Sequence, residues 1–221
     1  MEENLRPVSL SDLATAKLRE AIMEGVFKLG EALSEQKLAE YLNISKTPIR
    51  HALAQMRVEG LVEVFPQHGT FVFTLSGLDN VELTEHRVIL ERAALQLAYE
   101  RNKVELVKRL SAIREEMVPA KEKDDISRYL QLDIEFHRVM FDLCKNRYLI
   151  KGYSLIEAKI AAIRTHLGKD VIQTDKSFEE HGAMVEALAR DDIAAALDTL
   201  GFHIGRYIRT FDKGVSDISS L

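Results

Sequence analysis

Strand-type alternation occurs in only one stretch of this chain. Within residues 61–75, LVEVF and TFVFTL alternate apolar and polar side chains around PQHG, the pattern of a two-stranded hairpin. Elsewhere between residues 8 and 212 the apolar residues recur at spacings of three and four, which is the helical period. A single hairpin cannot supply a sheet large enough to carry the core, so the fold is read as mainly α. Hydrophobic residues make up 46% of 221, enough for one large core or two smaller ones. The lone cysteine, Cys144, excludes an internal disulfide and suits a reducing compartment, so a cytoplasmic location is expected. No apolar run approaches the roughly 20 residues that cross a bilayer, and no membrane partner is expected.

Residues 8–24 set Leu10, Leu13, Leu18, Ile22 and Met23 on one helical face. Gly25 and Gly30 bracket a turn. Ser34 then serves as N-cap for a second helix with Leu38, Ala39 and Leu42 inward. Asn43 suits a tight interhelical turn because Asn tolerates left-handed backbone. Ser45 is placed to cap a third helix, with Pro48 in its first turn and Ile49, Leu53 and Met56 inward. Gly60 ends that helix and the hairpin follows. Three helices and a hairpin in this order make a winged helix-turn-helix, a DNA-binding module whose recognition helix enters the major groove. Beyond Ser76-Gly77 strand signals cease. About six helices are expected there, broken near Asn102, Pro119-Ala120, Asn146, Gly168–Gln173 and Arg190-Asp191. The chain thus divides into a winged module, residues 1–75, and an all-α antiparallel bundle, residues 76–221.

A formal net charge of −5 does not advertise a polyanion partner, so DNA binding must rest on a local patch. Between Asn43 and Val58 stand Lys46, Arg50 and Arg57 with no acid among them. Lys46, Thr47 and Arg50 fall on the first turns of the third helix, where side chains reach phosphates or base edges and free N–H groups add anion affinity. The run LREAIMEGVFKLGEALSEQKLAEYLNISKTPIRHALAQMRVEGLVEVFPQHGTFV resembles the DNA-binding domain of the GntR family over residues 10–73. The resemblance implies DNA contacts at Gln36, at Lys46, Thr47 and Arg50, and at His68 and Gly69 on the wing. Where that family often has Arg at positions 36 and 46 and Glu at 51, this chain has Gln, Lys and His51.

The second module breaks its own apolar pattern. One stripe runs Ile126, Leu130, Asp133, His137, Met140, Cys144, and two more run Phe178, His181, Val185, Leu188 and Ala196, Leu200, His203, Tyr207. An inward helical stripe should be apolar throughout, and a polar group buried without a partner costs several kcal/mol. Any single histidine here reads best as a satisfied core residue. Three of them, with Asp133 one turn from His137, form a set that suits a divalent metal: zinc foremost, with nickel, manganese or iron also accommodated. Arg87 likewise interrupts the stripe Leu83, Leu90, Ala94, Leu97, and a buried Arg demands an anion. Glu91, four residues on, is one such partner. Arg164 and His166 lie among Ile156, Ile160, Ile163 and Leu167 and face either a pocket or solvent. His86 lies off the stripe, at the surface.

LDIEFHRVM, EEHGAMVEAL, LGFHIGRY and EHRVILERAAL resemble the FCD effector-binding domain of the FadR subfamily of GntR regulators, over about residues 78–210. The resemblance implies a metal held by Asp133, His137, His181 and His203, and a role for Arg87 beside it on an effector carboxylate. Arg164 is carried as a second effector-binding candidate. The function expected is a metabolite-responsive transcriptional regulator, a repressor that binds double-stranded, palindromic operator DNA as a homodimer and takes a small organic acid as effector. No enzyme activity is expected. Two alternatives remain: a metallohydrolase with an accessory DNA-binding domain, and a regulator whose metal is purely structural.

Overall fold

A computed structural model describes residues 9–167 and 171–214, with the side chains at 167, 171–173 and 207–214 outside the description. It divides into two compact units. One comprises the chain up to Thr74 together with Ala158–His166, and the other comprises Leu75–Glu157 and the residues from Leu167 onward.

In the first unit α1 (Leu10–Met23) packs on α3 (Lys46–Val58), with α2 (Glu35–Leu42) beside it. Ser9 closes a reciprocal capping box with Asp12 at the start of α1. The buried face of α1 is Ala14, Thr15, Leu18, Ala21 and Ile22. Leu10 and Leu13, expected on that face, are exposed, because the small residues Ala14 and Ala21 admit the close approach of α3 and turn the helix toward themselves. Ser34 caps α2 as expected, and Asn43 ends it in left-handed backbone, φ 53° and ψ 47°. Ser45 occupies the N-cap position of α3 but makes no side-chain capping bond. Ile49, Ala52 and Met56 of α3 are fully buried, as are Leu18 and Ile22 of α1, which packs on it.

The hairpin is β2 (Val62–Phe65) with β3 (Gly69–Val72), antiparallel, pairing Phe65 with Gly69 and Val62 with Val72. A two-residue strand, β1 (Ala32–Leu33), adds to the other side of β3, giving the order β1-β3-β2. Sequence reading finds no signal for β1, since two residues carry no period. The wing turns at Gln67 (φ 66°) and Gly69 (φ 111°).

The second unit opens with α4 (Gly77–Glu122), capped by a Ser76–Asp79 capping box. The break expected at Asn102 is a kink within this element, with φ −147° and ψ 40°. There Asn102 Nδ2 donates to Leu143 O at 2.9 Å and Arg101 Nη1 to Cys144 O at 2.5 Å, so the kink satisfies carbonyls at the end of α5 (Ile126–Cys144). Helix continues through Pro119 to Glu122, held by buried Met117 and Ala120, and the chain turns at Asp124, φ 53°. Next come α6 (Arg147–Ser154), capped by Asn146, then α7 (Glu157–Leu167), α8 (Val171–Ala189) and α9 (Ile193–Gly214). Six helical elements therefore follow the winged module among the described residues. The break at Leu155-Ile156 carries no Gly or Pro and was not expected. The one expected near Gly168–Gln173 falls on 168–170, outside the described residues. Helix α4 packs along α5, α8 and α9, and the buried polar residues of this unit gather among those four helices.

Candidate metal centre

The period of α5 places Asp133 and His137 one turn apart on its inward face, and both are buried, with 2% and 0% of their surface exposed. His181 from α8 and His203 from α9 are also fully buried. One ligand atom from each of the four lies within 4.8 Å of the others. His137 Nε2 stands 3.2 Å from His203 Nε2, and His181 Nε2 stands 3.5 Å from Asp133 Oδ1. The sequence-derived set is thus brought together whole. Ile126, at the start of the same stripe, is only partly buried, whereas Leu130, Met140 and Cys144 are buried. Tyr207 of the third stripe has its side chain outside the described residues.

Around these four lies a second tier of charge. His137 Nδ1 donates to Glu91 Oε2 at 2.5 Å, while Arg87 Nε donates to Glu91 Oε1 at 2.5 Å. His203 Nδ1 donates to Glu180 Oε2 at 2.8 Å, and Arg206 Nη2 lies 3.0 Å from the same oxygen. Ser177 Oγ donates to Asp133 Oδ1 at 3.2 Å. The His181 ring stacks on Phe136 with centroids 4.1 Å apart.

These contacts test whether a metal fits. With each Nδ1 proton given to a carboxylate, the Nε2 atoms of His137 and His203 present lone pairs to each other. Two lone pairs 3.2 Å apart repel unless a cation or proton sits between them. Ligand atoms about 2.1 Å from one ion lie roughly 3.0–3.4 Å apart in octahedral or tetrahedral arrangements, and the separations of 3.2 and 3.5 Å sit close to that range. Three imidazoles and one carboxylate form a borderline donor set, suited to zinc and its neighbours rather than to calcium or magnesium. The residues fit a divalent ion.

Arg87 is buried beside the cluster, with Nη2 3.4 Å from His137 Nε2 and Nε donating to Glu91 Oε1 at 2.5 Å. Sequence reading named Glu91 only as a partner for Arg87, and Glu180 not at all; neither was placed against a histidine. A signal existed: a histidine that ligates through one nitrogen needs an acceptor at the other, and Glu91 lies one turn from Arg87. Arg164 is 1% exposed, and its segment groups with the first unit. His86 is exposed and Cys144 is buried core, both as expected.

In the first unit Gln36, Lys46, Thr47, Arg50, His68 and Gly69 are all exposed. Gln36 Nε2 donates to Glu40 Oε1 at 2.5 Å, and Arg50 Nε donates to Glu35 Oε2 at 2.8 Å with 65% of its side chain exposed.

A winged helix-turn-helix and an all-helical unit with a buried cluster of one aspartate and three histidines are the parts of a DNA-binding transcription regulator. Residues 10–72 match the bacterial regulatory proteins of the gntR family, and residues 82–206 match the FCD domain. The chain belongs to the GntR family of DNA-binding transcriptional regulators, in its FCD-bearing branch. An uncharacterized HTH-type transcriptional regulator of Agrobacterium vitis is 33% identical over 126 residues, covering 56% of this chain and 74% of that one. The HTH-type transcriptional repressor NanR of Enterobacter sp. (strain 638) is 27% identical, covering 91% and 85%. Among solved structures, E. coli McbR/YncC superposes with a TM-score of 0.81 at 21% identity, covering 93% and 99%, a likeness of fold. Family membership sets aside the metallohydrolase alternative. No helix among the described residues is long and apolar enough to cross a membrane.

Proposed function

We propose that this chain is a metabolite-responsive repressor, acting in the cytoplasm as a homodimer on a palindromic operator, with a metal-assisted site for a small carboxylate. The observation that carries the reading is the convergence of Asp133, His137, His181 and His203, all buried, with ligand atoms within 4.8 Å. These four residues would hold the ion, zinc being the best match to the donor set. A bound divalent ion supplies Lewis acidity and a fixed positive charge for an anionic effector. Arg87 lies beside the cluster and adds a guanidinium for the same carboxylate. The reading rests on Arg87 and the cluster. The repressor sense is supported by the NanR relative's name. The homodimer follows from DNA geometry, since one recognition helix reads one half-site. DNA contact is assigned to Gln36, Lys46, Thr47, Arg50, His68 and Gly69, which are exposed in the winged unit.

A second reading keeps the metal purely structural. The Arg87–Glu91 pair favours it, because the guanidinium already has a buried anion. Selection of operator fragments from a random DNA pool, followed by mobility-shift titration of zinc-loaded protein with acetate and larger monocarboxylates, decides. The regulator reading expects an inverted repeat bound by two protomers and an affinity that carboxylate shifts only when zinc is present. A single half-site, or carboxylate-insensitive binding by zinc-loaded protein, would contradict it.

A further inference from the structure

Two glutamates outside the ligand set hold the imidazoles of two of its members. Glu91 is fully buried and bridges two helices, one oxygen accepting from Arg87 on its own helix and the other from His137 Nδ1 on α5. Glu180, on α8 immediately before His181, accepts from His203 Nδ1 on α9 and pairs with Arg206 one turn along. The two arrangements repeat one motif: guanidinium, carboxylate, imidazole Nδ1–H, with Nε2 aimed at the shared point. In both cases the carboxylate and the imidazole come from different helices, so neither contact is an accident of helical spacing.

We infer that Glu91 and Glu180 are positioning residues of the metal centre. Each fixes its histidine as the Nδ1–H tautomer, orients the ring, and makes Nε2 a stronger donor. This rests on the metal reading above. The physical case is that a neutral imidazole with an unanchored ring presents either nitrogen to an ion, whereas a carboxylate on Nδ1 leaves only Nε2. The arginines complete the device. Arg87 pairs with Glu91 and Arg206 with Glu180, a second contact that fixes each carboxylate in place.

The test uses the full chain and zinc alone. Zinc affinity is measured by competition with a chromophoric chelator for wild type, Glu91→Gln and Glu180→Gln, with circular dichroism and the metal-free melting temperature recorded for each. Glutamine keeps the shape and removes the charge. Both variants are expected to bind zinc about 10–100-fold more weakly than wild type while retaining wild-type helix content. A merely structural role would instead lower the metal-free melting temperature and leave zinc affinity unchanged, which would overturn the inference. If Glu91→Gln fails to fold, Glu180→Gln decides alone, since Glu180 keeps 14% of its side chain exposed. Wild-type protein that binds no zinc would remove the metal reading itself. Tight zinc binding by wild type and variants alike would remove only the positioning role.

Discussion

Arg87 and Arg50 show how differently one residue type behaves at two depths. Arg87 is buried, and its charge is sustained by Glu91 at 2.5 Å. Removing either partner breaks a buried ion pair, a loss of several kcal/mol. Arg50 pairs with Glu35 at 2.8 Å, yet 65% of its side chain meets solvent, so that pair contributes little and the guanidinium can turn to DNA. Arg50→Ala is therefore expected to leave the melting temperature nearly unchanged. Specific operator affinity should fall by about 1–3 kcal/mol per half-site, read by mobility shift at fixed salt. Unchanged affinity would take Arg50 out of the DNA interface. At this scale the buried cluster was legible, because Asp133, His137, His181 and His203 each interrupt an apolar stripe. The Arg87–Glu91 pair was legible from its i,i+4 spacing, but the contacts of Glu91 with His137 and of Glu180 with His203 were not, because each imidazole lies on another helix.

Helix ends separate what a motif promises from what it delivers. Ser45 sits at an N-cap in extended backbone with no side-chain bond, while Ser76 accepts from Asp79 N at 3.1 Å and Asp79 Oδ2 accepts from Ser76 N at 3.0 Å. Ser76→Ala is expected to destabilise its unit by about 1 kcal/mol, and Ser45→Ala by less than about 0.5 kcal/mol. Denaturant midpoints for the two variants check this, and equal losses would mean that α4 does not depend on its capping box. Long elements were legible in the sequence because many residues vote on one period, as in α5. Short or unpunctuated features were not. The strand β1 has two residues, and the break at Leu155-Ile156 has neither Gly nor Pro to mark it.

At the scale of the whole molecule, the first unit passes to the second between Thr74 and Leu75, and strand periodicity in the sequence stops at the same place. The grouping of Ala158–His166 with the first unit was not visible. Helical spacing fixes which face of α7 is apolar but not what that face meets. Within that unit Lys159 lies over the Phe73 ring, 5.1 Å from its centroid, a contact between residues far apart in the chain. The second unit is distinguished by the buried cluster of Asp133, His137, His181 and His203, and a metal bound there would add to its folding free energy. The most direct measurement is the metal content of wild type and His181→Ala, purified without chelator and analysed by elemental mass spectrometry, with melting temperatures taken with and without EDTA. The four-ligand site predicts about one divalent ion per chain in wild type, a sharply reduced content in the variant, and a melting temperature that EDTA lowers more in wild type than in the variant. Equal metal content in the two proteins, with EDTA shifting neither melting temperature, would contradict it.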